Sequence, residues 1–246
     1  MSGHSHWAKI KWQKTTADAK KSQAFSKMAQ MITLATREGG GDPTVNSKLR
    51  LAIEAAKKIN LPSDNIERAI KRGTGDLEGA KLEEVIFEAY GPAGIAIIIE
   101  GITDNKNRTL TEIKQILNLN GGKLVGEGAV RWMFERKGCL TLRITNLAEL
   151  QMKDKEELEM MAIEAGADDI YWHEDILDVF TKPDDLEKVS KNLEGKGLKI
   201  ESTSLDWVAK EMIDVNEETK QVCQKLFEAL DENEAVQEIY SNIKLP

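Results

Sequence analysis

CLTLRIT (139–145), KEELEMMAIEA (155–165), DIYWH (169–173), ILDVFT (176–181), DDLEKVSKNL (184–193) and LKIESTS (198–204) follow one another with short connections. The first, third, fourth and sixth are brief runs rich in Ile, Leu, Val, Thr and aromatics, the composition of a pleated, half-buried strand. The second and fifth repeat apolar residues at steps of three and four, as Leu158, Met161, Ala162 and Ala165 do, and that spacing makes one helix face. Strand–helix–strand–strand–helix–strand is the ferredoxin-like order. Residues 137–205 therefore read as a domain of that kind.

The flanks are incomplete sets. After it, 211–215, 217–230 and 236–242 read as strand, helix and strand. Before it, 85–90 and 95–102 read as a hairpin joined at Gly91-Pro92-Ala93-Gly94. A helix at 109–119 follows, stopped by Asn120-Gly121-Gly122, and then a strand at 130–134. Neither set covers a sheet alone, so 79–136 plus 206–246 is expected to form one discontinuous α+β domain. The ferredoxin-like domain is then an insertion within it.

Residues 1–78 read differently. Phe25, Met28, Ile32 and Ala35 share a helix face that Gly39-Gly40-Gly41 ends. Leu49, Ala52, Ile53 and Ala56 make a second helix, with Asn46 or Ser47 as its cap. A third begins after Pro62, with Ile66, Ala69 and Ile70 inward and Gly73 as the glycine expected just past its end. The fold class is α+β: an N-terminal three-helix domain with a polar tail, plus two α+β domains, one inserted into the other.

The chain carries a net charge of −8, but unevenly. Residues 1–75 hold 14 Lys/Arg against 6 Asp/Glu, a balance of +8, whereas the remainder stands at −16. Such a split suits one surface for a polyanion and a body that avoids it. The apolar run 95–99 is far too short to cross a bilayer, and no apolar leader precedes the basic tail, so a cytoplasmic chain without a membrane partner is expected. Cys139 and Cys223 are 84 positions apart with no metal-like spacing, which fits reduced thiols.

For catalysis the sequence offers nothing specific. His4 and His6 lie in the tail with no third ligand near, and His173 falls in a hairpin turn. Gly73-Thr74-Gly75 and Gly126-Glu127-Gly128 are turn glycines, since neither joins a strand to a helix. No nucleophile elbow, zinc-protease pair or phosphate loop occurs. No catalytic residue, metal, cofactor or small-molecule substrate is expected.

The cations form a pattern. In the tail, Trp7 and Trp12 alternate with Lys9, Lys11 and Lys14; the rings either stack on exposed bases or dock on the protein's own helices. Lys20 and Lys21 open the first helix. Lys48, Arg50 and Lys57 avoid the apolar face of the second, as Arg68, Lys71 and Arg72 avoid that of the third. These thirteen residues are the expected nucleic-acid contacts, with phosphate neutralisation as the source of affinity.

At these residues the chain resembles the YebC/PmpR family, whose mitochondrial relatives are translational activators of a cytochrome oxidase subunit. The resemblance is carried by Gly3-His-Ser5 with Trp7, Gly39-Gly-Gly-Asp-Pro43, Lys48-Leu-Arg-Leu-Ala-Ile53, Asp64 through Gly73, Glu88-Ala-Tyr-Gly-Pro92, Thr103 through Thr109, Gly121-Gly122 and Glu164-Ala-Gly-Ala167. It is densest over 1–135. His6 and Trp12-Gln13 depart from the family's more basic tail, and the segment after Ser204 fits it loosely. The resemblance implies a three-domain α+β protein that regulates gene expression without being an enzyme. One implied role is a ribosome-associated translation factor that contacts rRNA or tRNA and helps synthesis of proline-rich stretches. The other is a DNA-binding transcriptional regulator at promoters. An enzyme of unknown type is the distant third. The base-stacking tail tilts the reading toward RNA, and the oligomeric state stays open.

Overall fold

The computed structural model describes residues 18–144, 155–173 and 175–244. The tail residues Trp7, Lys9, Lys11, Trp12 and Lys14, with His4 and His6, lie outside the described residues.

Three helices come first: α1 (Asp18–Gly39), α2 (Ser47–Lys58) and α3 (Ser63–Thr74). Their apolar faces close on one another through Ile32, Ala35, Leu49, Ala52, Ala56, Leu61, Ile66 and Ala69, with Phe25, Met28, Ile53 and Ile70 at the margin. Asn46 locks the first turn between them. Its side-chain oxygen accepts the Leu49 amide at 3.0 Å, capping α2, while Nδ2 donates to the Ala35 and Gly40 carbonyls, both at 2.8 Å. The end of α3 differs from the sequence expectation. Gly73 is inside the helix, and Gly75, at φ 88°, takes the left-handed position. Gly73 has a packing reason instead: a Cβ there would meet the Thr36 Cβ at 2.5 Å and the Thr33 carbonyl at 2.6 Å.

The next elements are β1 (Glu83–Tyr90), β2 (Ala96–Thr103), α4 (Lys106–Leu119) and β3 (Lys123–Val125). Late in the chain come α7 (Glu217–Asp231) and β8 (Val236–Ser241). They form an antiparallel sheet of order β3-β1-β2-β8, in which β8 pairs with β2 across more than 130 residues of sequence. Val85, Phe87, Ile97, Ile99 and Ile239 on one face pack against Ile113 and Leu117 of α4 and Leu226, Phe227 and Leu230 of α7.

Two expected strands are absent from this sheet. Residues 131–133 form a 3-10 turn, because the carboxylate of Glu88 takes the amides a ladder would use. Its oxygens accept from Gly128 (2.8 Å), Val130 (2.8 Å) and Arg131 (2.9 Å). The three-residue β3 occupies the sheet edge instead. At 211–215 only Ile213 pairs, bridging Ile243 in parallel.

Residues Phe134–Lys210 form one compact unit, and the described residues up to Met133 and from Glu211 form the other. In the latter, Lys27 of α1 donates to the Asp231 carbonyl at 2.8 Å and lies 3.1 Å from its carboxylate. Gln23 donates to that same carbonyl at 2.9 Å. A cation and an amide thus satisfy the orphan C-terminal end of α7.

The inserted unit contains β4 (Phe134–Arg143), α5 (Lys155–Ala165), β5 (Asp169–His173), β6 (Ile176–Thr181), α6 (Leu186–Gly195) and β7 (Ile200–Ala209). Strand order β5-β6-β4-β7 is that of a ferredoxin-like sheet, with Leu140, Leu142, Leu177 and Val179 packed on Leu158, Ala162, Val189 and Leu193. β4 begins five residues before the expected Cys139, and β7 runs five past Ser204. The two extensions pair with each other from Phe134↔Ala209 onward, and Arg136 lies 5.1 Å from the Trp207 ring centroid. Cys139 and Cys223 are both buried thiols outside any disulfide, and burial pushes the Cys223 thiol above its usual range.

Candidate nucleic-acid interface

On α3 the alternation of apolar and charged residues has a direct spatial consequence. Ile66 and Ala69 are buried, while Arg68, Lys71 and Arg72, at i, i+3 and i+4, lie exposed on the opposite side. Lys71 and Arg72 also occupy the last turn, where the helix dipole favours a cation. Lys57 is exposed at the end of α2, beside Lys58. Among the described residues no carboxylate pairs with Arg68, Lys71, Arg72 or Lys57. They are cations on a framework held by its own core, with no internal partner to give up.

Other expected contacts are placed differently. Lys48 reaches Glu38 at 2.8 Å and Glu84 at 3.8 Å, so it already has acidic neighbours. Exposed pairs of this sort contribute about 0–1 kcal/mol, so the pairing is weak. Arg50 is half-buried, with its guanidinium 3.5 Å from the Pro43 carbonyl. Lys21 stands over the Phe25 ring at 5.6 Å, and Lys20 is in the first turn of α1. Arg37, which the sequence reading passed over, donates to the Leu82 and Ala80 carbonyls at 3.1 and 3.3 Å and ties α1 to the linker.

No group of three or more His, Cys, Asp or Glu among the described residues is arranged to hold a metal. A cavity of about 500 Å³ is lined by Arg108, Thr109, Glu112, Glu232, Asn233, Glu234 and Ala235. Arg108 there is already held by Asp104 and Glu112, so the lining is acidic on balance. No helix among the described residues is long and apolar enough to cross a membrane.

Two family models match in succession: the TACO1/YebC protein N-terminal domain over 5–76, and the TACO1/YebC second and third domain over 82–243. The chain belongs to the TACO1/YebC family. It is 48% identical over 245 residues to a protein of Caldanaerobacter subterraneus subsp. tengcongensis, covering 100% of this chain and 99% of the relative. It is 47% identical over 247 residues to one of Halothermothrix orenii, covering 100% and 96%. Each relative is named "Probable transcriptional regulatory protein". A solved structure, a conserved hypothetical protein from Aquifex aeolicus, superposes with TM-score 0.86 at 42% identity, covering 98% of both chains.

In this TACO1/YebC chain one exposed aromatic escaped the sequence reading. Trp132 is 65% exposed. Reading 130–134 as a strand hid it, although Gly126 and Gly128 just ahead of an aromatic already marked a turn.

Proposed function

We propose that this chain is a non-enzymatic, nucleic-acid-binding regulator of gene expression that works in the cytoplasm as a ribosome-associated factor contacting rRNA or tRNA. The supporting observation is the preorganised cation face of Arg68, Lys71 and Arg72 on α3. Phosphate binding by such a face is driven by counterion release, and its cations need little further ordering. The narrower role, help with proline-rich stretches, rests on the family resemblance. Its measure is the yield of a proline-run reporter in a translation mixture with and without the protein.

Changing Arg68, Lys71 and Arg72 together to Gln is the central test. Each single-strand phosphate contact contributes about 0.7 to the slope of log K against log salt. The triple variant is therefore expected to lose about 2 units of that slope on a single-stranded ribosomal RNA oligonucleotide, as read by anisotropy at several salt concentrations. An unchanged slope would remove this face from the interface.

The second reading is a DNA-binding transcriptional regulator at promoters. It is favoured by the name the relatives carry and by an exposed basic helix of the kind that enters a major groove. Matched-salt binding to promoter duplex and to ribosomes separates the two.

A further inference from the structure

The segment that leaves α3 is tethered along its length. Gly75 turns the chain back in its left-handed conformation, and the Leu77 amide then donates to the Lys71 carbonyl at 3.1 Å. That carbonyl, in the last turn of α3, also accepts the Thr74 hydroxyl at 3.1 Å. Farther along, the Arg37 guanidinium reaches over from the last turn of α1. Its Nη1 donates to the Leu82 carbonyl at 3.1 Å and its Nη2 to the Ala80 carbonyl at 3.3 Å. Residues 77–82 are thus tied to α3 at one end and to α1 at the other, which makes them a strap.

Between the two ties the strap passes Arg72. A Cβ on Gly79 would stand 3.6 Å from the Arg72 Cγ and 3.7 Å from its Cβ and Cδ, ordinary contact distances. The Gly79 backbone therefore runs beside the aliphatic stem of Arg72, while the residue as a whole stays exposed. Arginine commonly lays its methylenes along a surface and keeps its charged head in water. Here that surface is itself exposed from Thr74 to Lys81, so burial does not fix it. Its hydrogen bonds do.

The consequence concerns order. An arginine loses rotamer freedom when it grips a phosphate, and a stem already laid against a fixed surface loses less. The planar guanidinium of Arg37 suits the clamping task, because its fork reaches two carbonyls at once where an ammonium is a point donor.

We infer that Arg37 is a positioning residue of the nucleic-acid interface: it clamps the strap 77–82, and the clamped strap preorders Arg72 for phosphate. This rests on the nucleic-acid reading above and deepens it, adding a residue that strengthens binding without touching the ligand.

The test uses the full chain, a labelled single-stranded ribosomal RNA oligonucleotide and anisotropy across a salt series. Arg37→Gln is expected to weaken binding about 2- to 10-fold, the range for one side chain left to be ordered on binding. The salt slope should stay at the wild-type value, because no phosphate contact is removed. Arg37→Lys should not rescue the loss, since it keeps the charge but not the two-carbonyl fork. In an Arg72→Gln background, Arg37→Gln should weaken binding no further, the non-additivity of residues that act as one unit. Trypsin should cut after Lys81 faster in both Arg37 variants, while thermal melting stays close to wild type. A slope lowered by about 0.7 in Arg37→Gln and restored in Arg37→Lys would make Arg37 a direct phosphate contact and overturn the clamp. Additive losses in the double variant would overturn it too, as would wild-type affinity in Arg37→Gln. With the Arg68/Lys71/Arg72 variant still impaired, each of these results leaves the proposed function standing. A wild-type chain that binds no RNA at any salt would remove both.

Discussion

Replacing Glu88 with alanine should lower the stability of its unit by about 3 kcal/mol, near the bottom of the 3–5 kcal/mol typical when one partner of a buried ion pair is removed. The low end applies because Gly128 is exposed and Arg131 only half-buried, so water reaches part of what the carboxylate leaves. Val130 has no such relief: it is fully buried, and its amide loses an acceptor at 2.8 Å. A shift in urea midpoint with little change in slope is the expected reading. Acid supplies an independent check. Burial alone pushes the Glu88 carboxyl up, but the amides of Gly128, Val130 and Arg131, with the Arg131 charge, together outweigh it and hold the group below its ordinary 4.5. A carboxylate lowered on folding stabilises the protein at pH values above its unfolded pKa, and that stability is lost as pH falls through the lower folded one. Wild type should therefore lose stability on acidification below about 4.5, and Glu88→Ala should show a flatter acid limb. A variant within about 1 kcal/mol of wild type, with the same acid limb, would mean the loop is held by something other than this carboxylate.

Glu88 also shows where sequence reading stops. The run Val130-Arg-Trp-Met-Phe134 has the β-branched and aromatic content of a strand, and locally nothing contradicts that. What turns it into a 3-10 turn is a carboxylate more than 40 residues earlier, and no window of periodicity contains both. The extensions of β4 and β7 were missed for a related reason. Glu135, Arg136, Lys137 and Asp206 look like loop residues until Phe134↔Ala209 registers one strand on the other. Local signals carried well. Asn46 caps α2 through contacts spanning a few residues, and the amphipathic faces of α1 to α3 need only their own spacing. For the candidate interface, the outward direction of Arg68, Lys71 and Arg72 followed from helix geometry alone. The partners of Lys48 did not, since Glu38 lies on the preceding helix and Glu84 is 36 positions away. Trp7 and Trp12, the tryptophans that the sequence singles out, lie outside the described residues, whereas Trp132, the one exposed among the described residues, follows a turn fixed by a contact more than 40 positions away.

Gly73→Ala is the other change with a large expected effect, and propensity alone gives it the wrong sign. Inside a helix, alanine gains up to about 1 kcal/mol over glycine. Here the new methyl would stand 2.5 Å from the Thr36 Cβ and 2.6 Å from the Thr33 carbonyl, and neither is the free end of a flexible side chain. Both threonines are buried, and the Thr33 hydroxyl is shared between the Ala29 carbonyl of its own helix at 2.8 Å and the Ala69 carbonyl of α3 at 3.1 Å. Relief therefore requires α3 to move away from α1, stretching that bond and opening the Ile32–Ile66–Ala69 core. Overpacking of this kind costs about 1–3 kcal/mol, occasionally more, and a backbone atom in the way puts this case at the upper end. The net expectation is a loss of about 2 kcal/mol. Gly75→Ala makes a useful contrast: its φ of 88° carries a backbone penalty, but a Cβ there meets nothing within 4 Å, so α3 stays in place. If Arg68, Lys71 and Arg72 bind phosphates through their fixed placement, Gly73→Ala should weaken RNA binding without removing a single charge, while Gly75→Ala leaves affinity at the wild-type level. Thermal melts paired with anisotropy decide it. A Gly73→Ala protein that melts at or above wild type would show that α1 and α3 have room to spare at this contact.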